Sequence, residues 1–403
     1  MPENQYSAET QSSGMLSGIR VISFTHFLQG PSASQLLADL GADVIKIEPR
    51  TGAFERSWTG PGMFLEGHSP FFGLGNRNVR SIVVDLKHPD AAEPLLRLLD
   101  SADVLIESFR PGTLDRLGLG WEVLHARNPR LVYASLSGYG PDGPYVDRPG
   151  QDVLVQALSG LAMATGRADQ PPQPTGACIV DQHGAVLGAF GILAALHGRE
   201  RTGEGTRVES NLLNAALDLQ IEPLTYALNG FRGSRSASGV SSPFYTAPYG
   251  VFATADGWIC LSLTSPAKLR DVFDDDGFDG IEPGEAFARR EDVNERVAAH
   301  VSHRTTAEWA EVFTAASMWW APVNGHDEVI ADPQVQHNDS FDQYEHPDAG
   351  TVRVLKHPVT YDGVRPGVRT APPELGQHTR DVLTDLGYTA DDVEALRSAG
   401  AVA

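Results

Sequence analysis

The sequence predicts an α/β protein: a mainly parallel β-sheet covered by helices on both faces, and a smaller α+β domain. Three observations carry this reading. Short apolar runs alternate with helix-spaced segments as far as Ala134. The 403 residues exceed what one hydrophobic core usually serves. A Gly/Ser-rich stretch at 229–242 then separates this region from strands followed by helices.

Residues 19–24 read as the first strand. Helical spacing follows over 31–40, with Leu36, Leu37 and Leu40 as apolar positions. Residues 44–47 and 81–84 are the second and third strands. A helix is expected over 88–99, with Pro89 in its first turn and Leu95, Leu96, Leu98 and Leu99 inward; Pro94 would kink or delay it. Residues 103–106 and 131–134 are further strands. Ligands of such sheets lie at the carboxyl ends of the strands. Residues 156–219 read as helices, 249–263 as strands around the turn Ala255-Asp256-Gly257, and 379–386 as a helix. Thr305 and Glu308 fit a capping box. The expected domains are a disordered leader at 1–14, a large domain at 15–224, a small domain at 225–330, and a segment at 331–403 that returns to the large domain.

The formal net charge of -21 repels nucleic acid and anionic membranes, so neither is expected as a partner. No run of about 18 apolar residues suggests a membrane span. The leader has no basic opening or apolar centre and does not read as a signal peptide. The two cysteines, Cys178 and Cys260, have neither metal-type nor disulfide-framework spacing, which suits a cytoplasmic protein. His300 and His303 read as solvated helix residues, and no metal is expected.

Gly138-Tyr139-Gly140-Pro141-Asp142-Gly143 matches the dinucleotide pattern, but Pro144 and Pro149 argue against the helix that must follow it. There is no Gly-Lys pair for a phosphate loop and no Gly-x-Ser-x-Gly for a serine hydrolase. Two features remain. Asp181 ends a short apolar run and opens a stretch rich in small residues, Gly184, Ala185, Gly188, Ala189 and Gly191. Such an Asp is commonly a helix cap; the helix start would also keep it ionised, and an ionised carboxylate can act as a nucleophile. Arg50, Lys87, Arg110 and Arg116 follow successive strands. In so acidic a chain they could gather the phosphates of a long anionic ligand such as coenzyme A.

Several segments resemble the class III coenzyme A transferases, which include formyl-CoA and carnitine CoA transferases. They are Leu16-Ser17-Gly18-Ile19-Arg20-Val21-Ile22 with Gly30-Pro31, Leu40-Gly41-Ala42-Asp43-Val44-Ile45-Lys46-Ile47-Glu48-Pro49, and Asn76-Arg77-Asn78 with Asp85-Leu86-Lys87. Glu107-Ser108-Phe109-Arg110-Pro111-Gly112, Gln156-Ala157-Leu158-Ser159-Gly160 and Pro372-Pro373-Glu374-Leu375-Gly376 continue the match. The resemblance implies a Rossmann-like parallel sheet in the large domain, a smaller α+β domain and an interlocked homodimer. It implies that Asp181 is the catalytic residue. It also implies coenzyme A contacts at His26, Leu28, Gln29, Lys87, Ser108, Phe109, Arg110, Arg116, Ser137, Tyr139 and Gly140, to which the place of Arg50 after the second strand adds one more.

Three positions depart from relatives of that family. Leu28 stands where formyl-CoA transferases carry glutamine, and Gln29 is one place later. The stretch from Gly233 to Gly239 does not match their glycine-rich lid. Gln151 stands where α-methylacyl-CoA racemases place a titrating histidine. Glutamine cannot exchange a proton at neutral pH, so the substitution favours a transferase over a racemase. The expected activity is transfer of coenzyme A from an acyl-CoA donor to a carboxylic acid, through an aspartyl-CoA thioester. Oxyanion donors are expected in the glycine loops near Tyr139 and Gly239. A racemase-like isomerase and a non-catalytic acyl-CoA-binding relative stay open as alternatives.

Overall fold

A computed structural model describes residues 14–238, 242–282 and 284–403. The rest of the expected leader, residues 1–13, and Gly239 of the expected lid lie outside them. The chain divides into two units. One comprises Met1–Asp152, Ile179–Ala215 and Gln336–Ala403; the other comprises Val153–Cys178 and Ala216–Val335. Residues 153–178 and 216–224, expected within the large domain, group with the second unit.

The first unit is built on a six-stranded sheet: β1 (Arg20–Phe24), β2 (Asp43–Glu48), β3 (Val79–Val83), β4 (Val104–Glu107), β5 (Val132–Ser137) and β6 (Arg207–Asn211). Its order is β3-β2-β1-β4-β5-β6, and every pairing is parallel. The near-continuous apolar runs of β1 and β4 are what a sheet covered on both faces requires. Successive side chains serve opposite faces. Ile22, Ile45 and Leu105 join Leu95, Leu98 and Val382 on one side. Val21, Val44 and Val104 join Leu37, Ala185 and Ile192 on the other.

Two expectations are corrected in this unit. The helix foreseen over 88–99 starts as a 3-10 turn, Pro89–Ala91, and becomes α-helical at Ala92–Asp100. Pro94 therefore falls in the first turn, where its missing N–H costs nothing. Within 156–219, read as helices around the Asp181 segment, lies the edge strand β6, Arg-Val-Glu-Ser-Asn. It is polar and only partly buried, so it carried no apolar signal. The helix Thr379–Asp385 packs on the Leu95 face, and Thr379 Oγ1 accepts from the Val83 N–H at 3.1 Å.

The second unit holds the antiparallel sheet β7 (Tyr249–Ala253), β8 (Trp258–Ser262) and β9 (Trp319–Pro322), over a core that includes Phe252, Leu261, Leu269 and Phe313. The Thr305–Glu308 capping box is formed. His300 is not simply solvated: it meets Asp275 at 2.9 Å and stacks on Phe273, while His303 is exposed.

Candidate active site at the carboxyl edge of the sheet

The strand order reverses between β1 and β4, which is where doubly wound sheets open a crevice. Two expected contact segments meet there. The His26 N–H donates to Ser108 Oγ at 3.1 Å, and the His26 ring stacks on Phe109 with centroids 5.7 Å apart. Burial lowers the His26 pKa, so the ring favours its neutral form.

Buried charges shape these loops. Lys46, within the apolar β2, donates to the Thr25 carbonyl at 2.9 Å and to Glu55 Oε1 at 3.0 Å. Glu55 Oε2 in turn accepts from the Phe27 N–H at 3.3 Å. Phe27 has a left-handed φ of 62°, which costs a non-glycine residue energy, and the Lys46–Glu55 pair holds it there. Beyond β4, Glu107 accepts from the Phe109 N–H at 2.9 Å and from Ser135. None of Lys46, Glu55 and Glu107 was singled out from the sequence. A lysine inside the apolar run Val44–Ile47 was the available signal for the first.

The expected cations occupy the same edge. Arg50 follows β2, Lys87 follows β3, and Arg110 and Arg116 follow β4; all four are exposed. Arg50 donates to the Gly400 carbonyl and Arg116 to Thr113 Oγ1. Among the described residues none of the four makes a salt bridge, whereas Arg20, Arg56, Arg77 and Arg80 are all paired. An edge with unpaired cations suits a polyanion.

After β5 the chain enters the glycine loop. Ser137 Oγ accepts the Gly140 N–H at 3.0 Å, and Tyr139 donates to the Pro149 carbonyl. One N–H of the glycine loop in which oxyanion donors were expected, that of Gly140, is therefore already used. Gly138 and Gly150 cross so closely that a Cβ on Gly138 would lie 2.7 Å from the Gly150 Cα. This contact explains the pair of glycines without a dinucleotide, and no helix begins before Asp152.

Asp181 lies in the first turn of the helix Ile179–Thr202, which runs back to β6. Gly188, two turns on, abuts Leu136 near the end of β5, so the helix start projects about 10 Å further toward the carboxyl edge. The expected cap is made by another residue. Asp152 Oδ2 accepts the N–H groups of Val180 at 2.8 Å and Asp181 at 3.0 Å. The Asp181 carboxylate is thus relieved of capping. Burial, then the charge of Asp152, push its pKa up to about 7. This corrects the expectation that the helix start keeps it ionised: the favourable N–H groups are taken by Asp152, and a second negative charge is added.

Gln29, at the first turn of the helix Gln29–Asp39, is buried, and its Nε2 has no hydrogen-bond partner. A Cβ on Gly184 would lie 2.7 Å from that nitrogen. Gly184 is three residues after Asp181 and so shares its face of the helix. Leu28 is buried at 6% exposure and offers only an apolar side chain. Gln151 is exposed.

A second cluster, His68, His346 and Glu374, has metal-like composition. His346 Nδ1 accepts the N–H groups of Asp348 and Ala349, which puts its proton on Nε2, facing Glu374. That nitrogen is a donor and not a ligand, and the cluster reads as a hydrogen-bonded clasp between loops.

Comparison with known proteins shows the family of the chain. The model of a family described as CoA-transferase family III matches residues 16–379. An acyl-CoA transferase of Fusarium pseudograminearum is 33% identical over 98% of this chain and 89% of its own. The succinyl-CoA:glutarate CoA-transferase of Mus musculus is 32% identical over 96% of this chain and 90% of its own. The crystal structure of Rv3272 from M. tuberculosis superposes with a TM-score of 0.78 at 32% identity, covering 92% of this chain and 99% of that one.

Proposed function

The chain belongs to CoA-transferase family III, and from that premise we propose that it moves coenzyme A between carboxylic acids with Asp181 as nucleophile. One observation carries the proposal: the Asp181 carboxylate stands uncapped at the edge that also presents four unpaired cations.

The Asp181 carboxylate attacks the donor thioester carbonyl, expels the coenzyme A thiolate and forms a mixed anhydride. The thiolate attacks the aspartyl carbonyl, releases the donor acid and leaves an aspartyl-CoA thioester. The acceptor carboxylate attacks that thioester, and the thiolate then takes the acceptor acyl group, returning Asp181. Each step exchanges one activated acyl group for another, so no ATP or metal enters. The Gln29 amide is the best-placed donor for the developing oxyanion, because it is buried, unpaired and on the Asp181 face. Arg50, Lys87, Arg110 and Arg116 bind the phosphates, with His26, Ser108 and Phe109 at the crevice. Water must be excluded, since the anhydride hydrolyses.

We also propose a homodimer. The helix Ile221–Leu228 buries none of its residues, with Ile221 68% and Leu228 85% exposed, and Phe231 beyond it 63% exposed. A second copy would cover so apolar a stretch. Neither Cys178 nor Cys260 is disulfide-bonded, in keeping with a cytoplasmic location.

The experiment is an incubation with succinyl-CoA, the donor of the mouse relative, and a panel of carboxylic acids, with acyl-CoA products read by mass. New acyl-CoA species that need an acceptor support the transferase. Deuterium entering the α-position of a 2-methylacyl-CoA without any acceptor would favour an isomerase instead.

A further inference from the structure

We propose that Asp152 is a positioning residue that holds the first turn of the Asp181 helix and places the readiness of the nucleophile under proton control. The inference rests on the reading of Asp181 as nucleophile. It starts from one oxygen: Asp152 Oδ2 takes the N–H groups of both Val180 and Asp181, and the residue is 7% exposed.

Two consequences follow from that contact. The first turn of a helix has four N–H groups without intrahelical partners, and a side chain of the same helix often turns back to meet them. Asp152 meets two of them from a different segment, so Asp181 keeps its own carboxyl for chemistry. The contact also fixes a carboxylate beside the backbone of the nucleophile. Two carboxylates that share a site resist double ionisation.

On the Asp181 helix the nearest titratable side chain is His183, two residues on. The helix Gln29–Asp39, packed alongside, offers Gln29 and Ser32 near the start, both uncharged; Ser32 accepts from Gln182 at 3.3 Å. Cys178 precedes the helix as an exposed thiol. Burial raises the Asp181 pKa and the Asp152 charge raises it further. The protonated form cannot attack a thioester, so transfer should gain its nucleophile only as pH rises through neutrality. A carboxylate of higher pKa is also the stronger nucleophile once ionised.

The geometry of the loop supports the role. Gly138 and Gly150 make backbone contact, and Asp152 is two residues beyond that crossing. The position of Asp152 is therefore tied to the end of β5, and through its carboxylate so is the position of Asp181.

The test compares kcat against pH for the wild type and Asp152→Asn, using the donor and acceptor found active in the panel. Asparagine keeps an acceptor oxygen for the two N–H groups and removes the charge. The acid limb of the profile should move down by about one pH unit or more, with thermal stability retained. A folded, active Asp152→Asn enzyme with an unmoved acid limb overturns the proposal. If that variant does not fold, infrared difference spectra of the wild type against Asp181→Asn, taken across pH, decide instead. A carboxyl that protonates near pH 7 upholds the proposal, and one that stays ionised below pH 5 overturns it. Asp181→Ala separates the two readings: if it still transfers coenzyme A, the nucleophile is wrong; if it is dead while the Asp152 result is negative, only the positioning role falls.

Discussion

Asp181→Asn should stabilise the fold above pH 7 and leave it nearly unchanged near pH 4. In the folded protein the Asp181 pKa is pushed up to about 7 from an ordinary 3.8, by burial and then by Asp152. Between those values the folded state holds a proton that the unfolded chain has lost. Stability therefore falls as pH rises through this window and is flat above it. At about 1.4 kcal/mol per pH unit the cost above pH 7 is about 4 kcal/mol at most. Asp181 is only partly buried, so water screens the charge and about 2 kcal/mol is the more realistic lower figure. With an unfolding entropy of about 2.1 cal/mol/K per residue, the variant should melt about 2–5 °C higher at pH 8. Asparagine removes no cap, because Asp152 makes it. The assay is thermal melting of both proteins at pH 4.5, 6 and 8. If Asp181 itself capped its helix, the substitution would give no gain at pH 8. A shift of the same size at every pH, or a loss at pH 8, would refute the electrostatic reasoning.

Other substitutions probe the rest of the site. Gln29→Leu should lower kcat by about 10²-fold or more while changing the donor KM little, since an oxyanion donor acts mainly in the transition state. Equal loss in kcat and binding would assign Gln29 to ground-state contact. The Lys87→Ala, Arg116→Ala double variant should bind coenzyme A more weakly in calorimetry, with a shallower dependence on salt, because two phosphate-facing charges are gone. Gly138→Ala should destabilise the protein and reduce activity together, as its Cβ would lie 2.7 Å from the Gly150 Cα. Lys46→Met should be strongly destabilising, by about 3–5 kcal/mol in denaturant unfolding, because it leaves Glu55 buried without its cation.

Much of the first unit was legible because its strands are nearly continuous apolar runs. The windows 19–24, 44–47 and 103–106 fall within a residue or two of β1, β2 and β4. What stayed hidden was polar. β6 carries Arg, Glu, Ser and Asn, and the hairpin Phe341–His346 with Gly350–Leu355 alternates without a long apolar run. In the site, Asp181 stood out by its place before small residues, and the cations by their places after strands. The partners that tune Asp181 did not. Asp152 lies 29 residues earlier, and its link to the helix start exists only once Gly138 and Gly150 have crossed. The orphaned nitrogen of Gln29 is likewise a property of packing against Gly184, which no local pattern in the sequence encodes.

The central claim is a covalent one, that coenzyme A passes through Asp181. Turnover in hydroxylamine tests it most directly, because hydroxylamine captures an activated acyl group and leaves an ordinary carboxylate alone. Incubation with acyl-CoA and hydroxylamine should inactivate the enzyme and leave one peptide heavier by the hydroxamate, at Asp181. A modification on another residue, or an unmodified Asp181 peptide from enzyme that is turning over, would contradict the account.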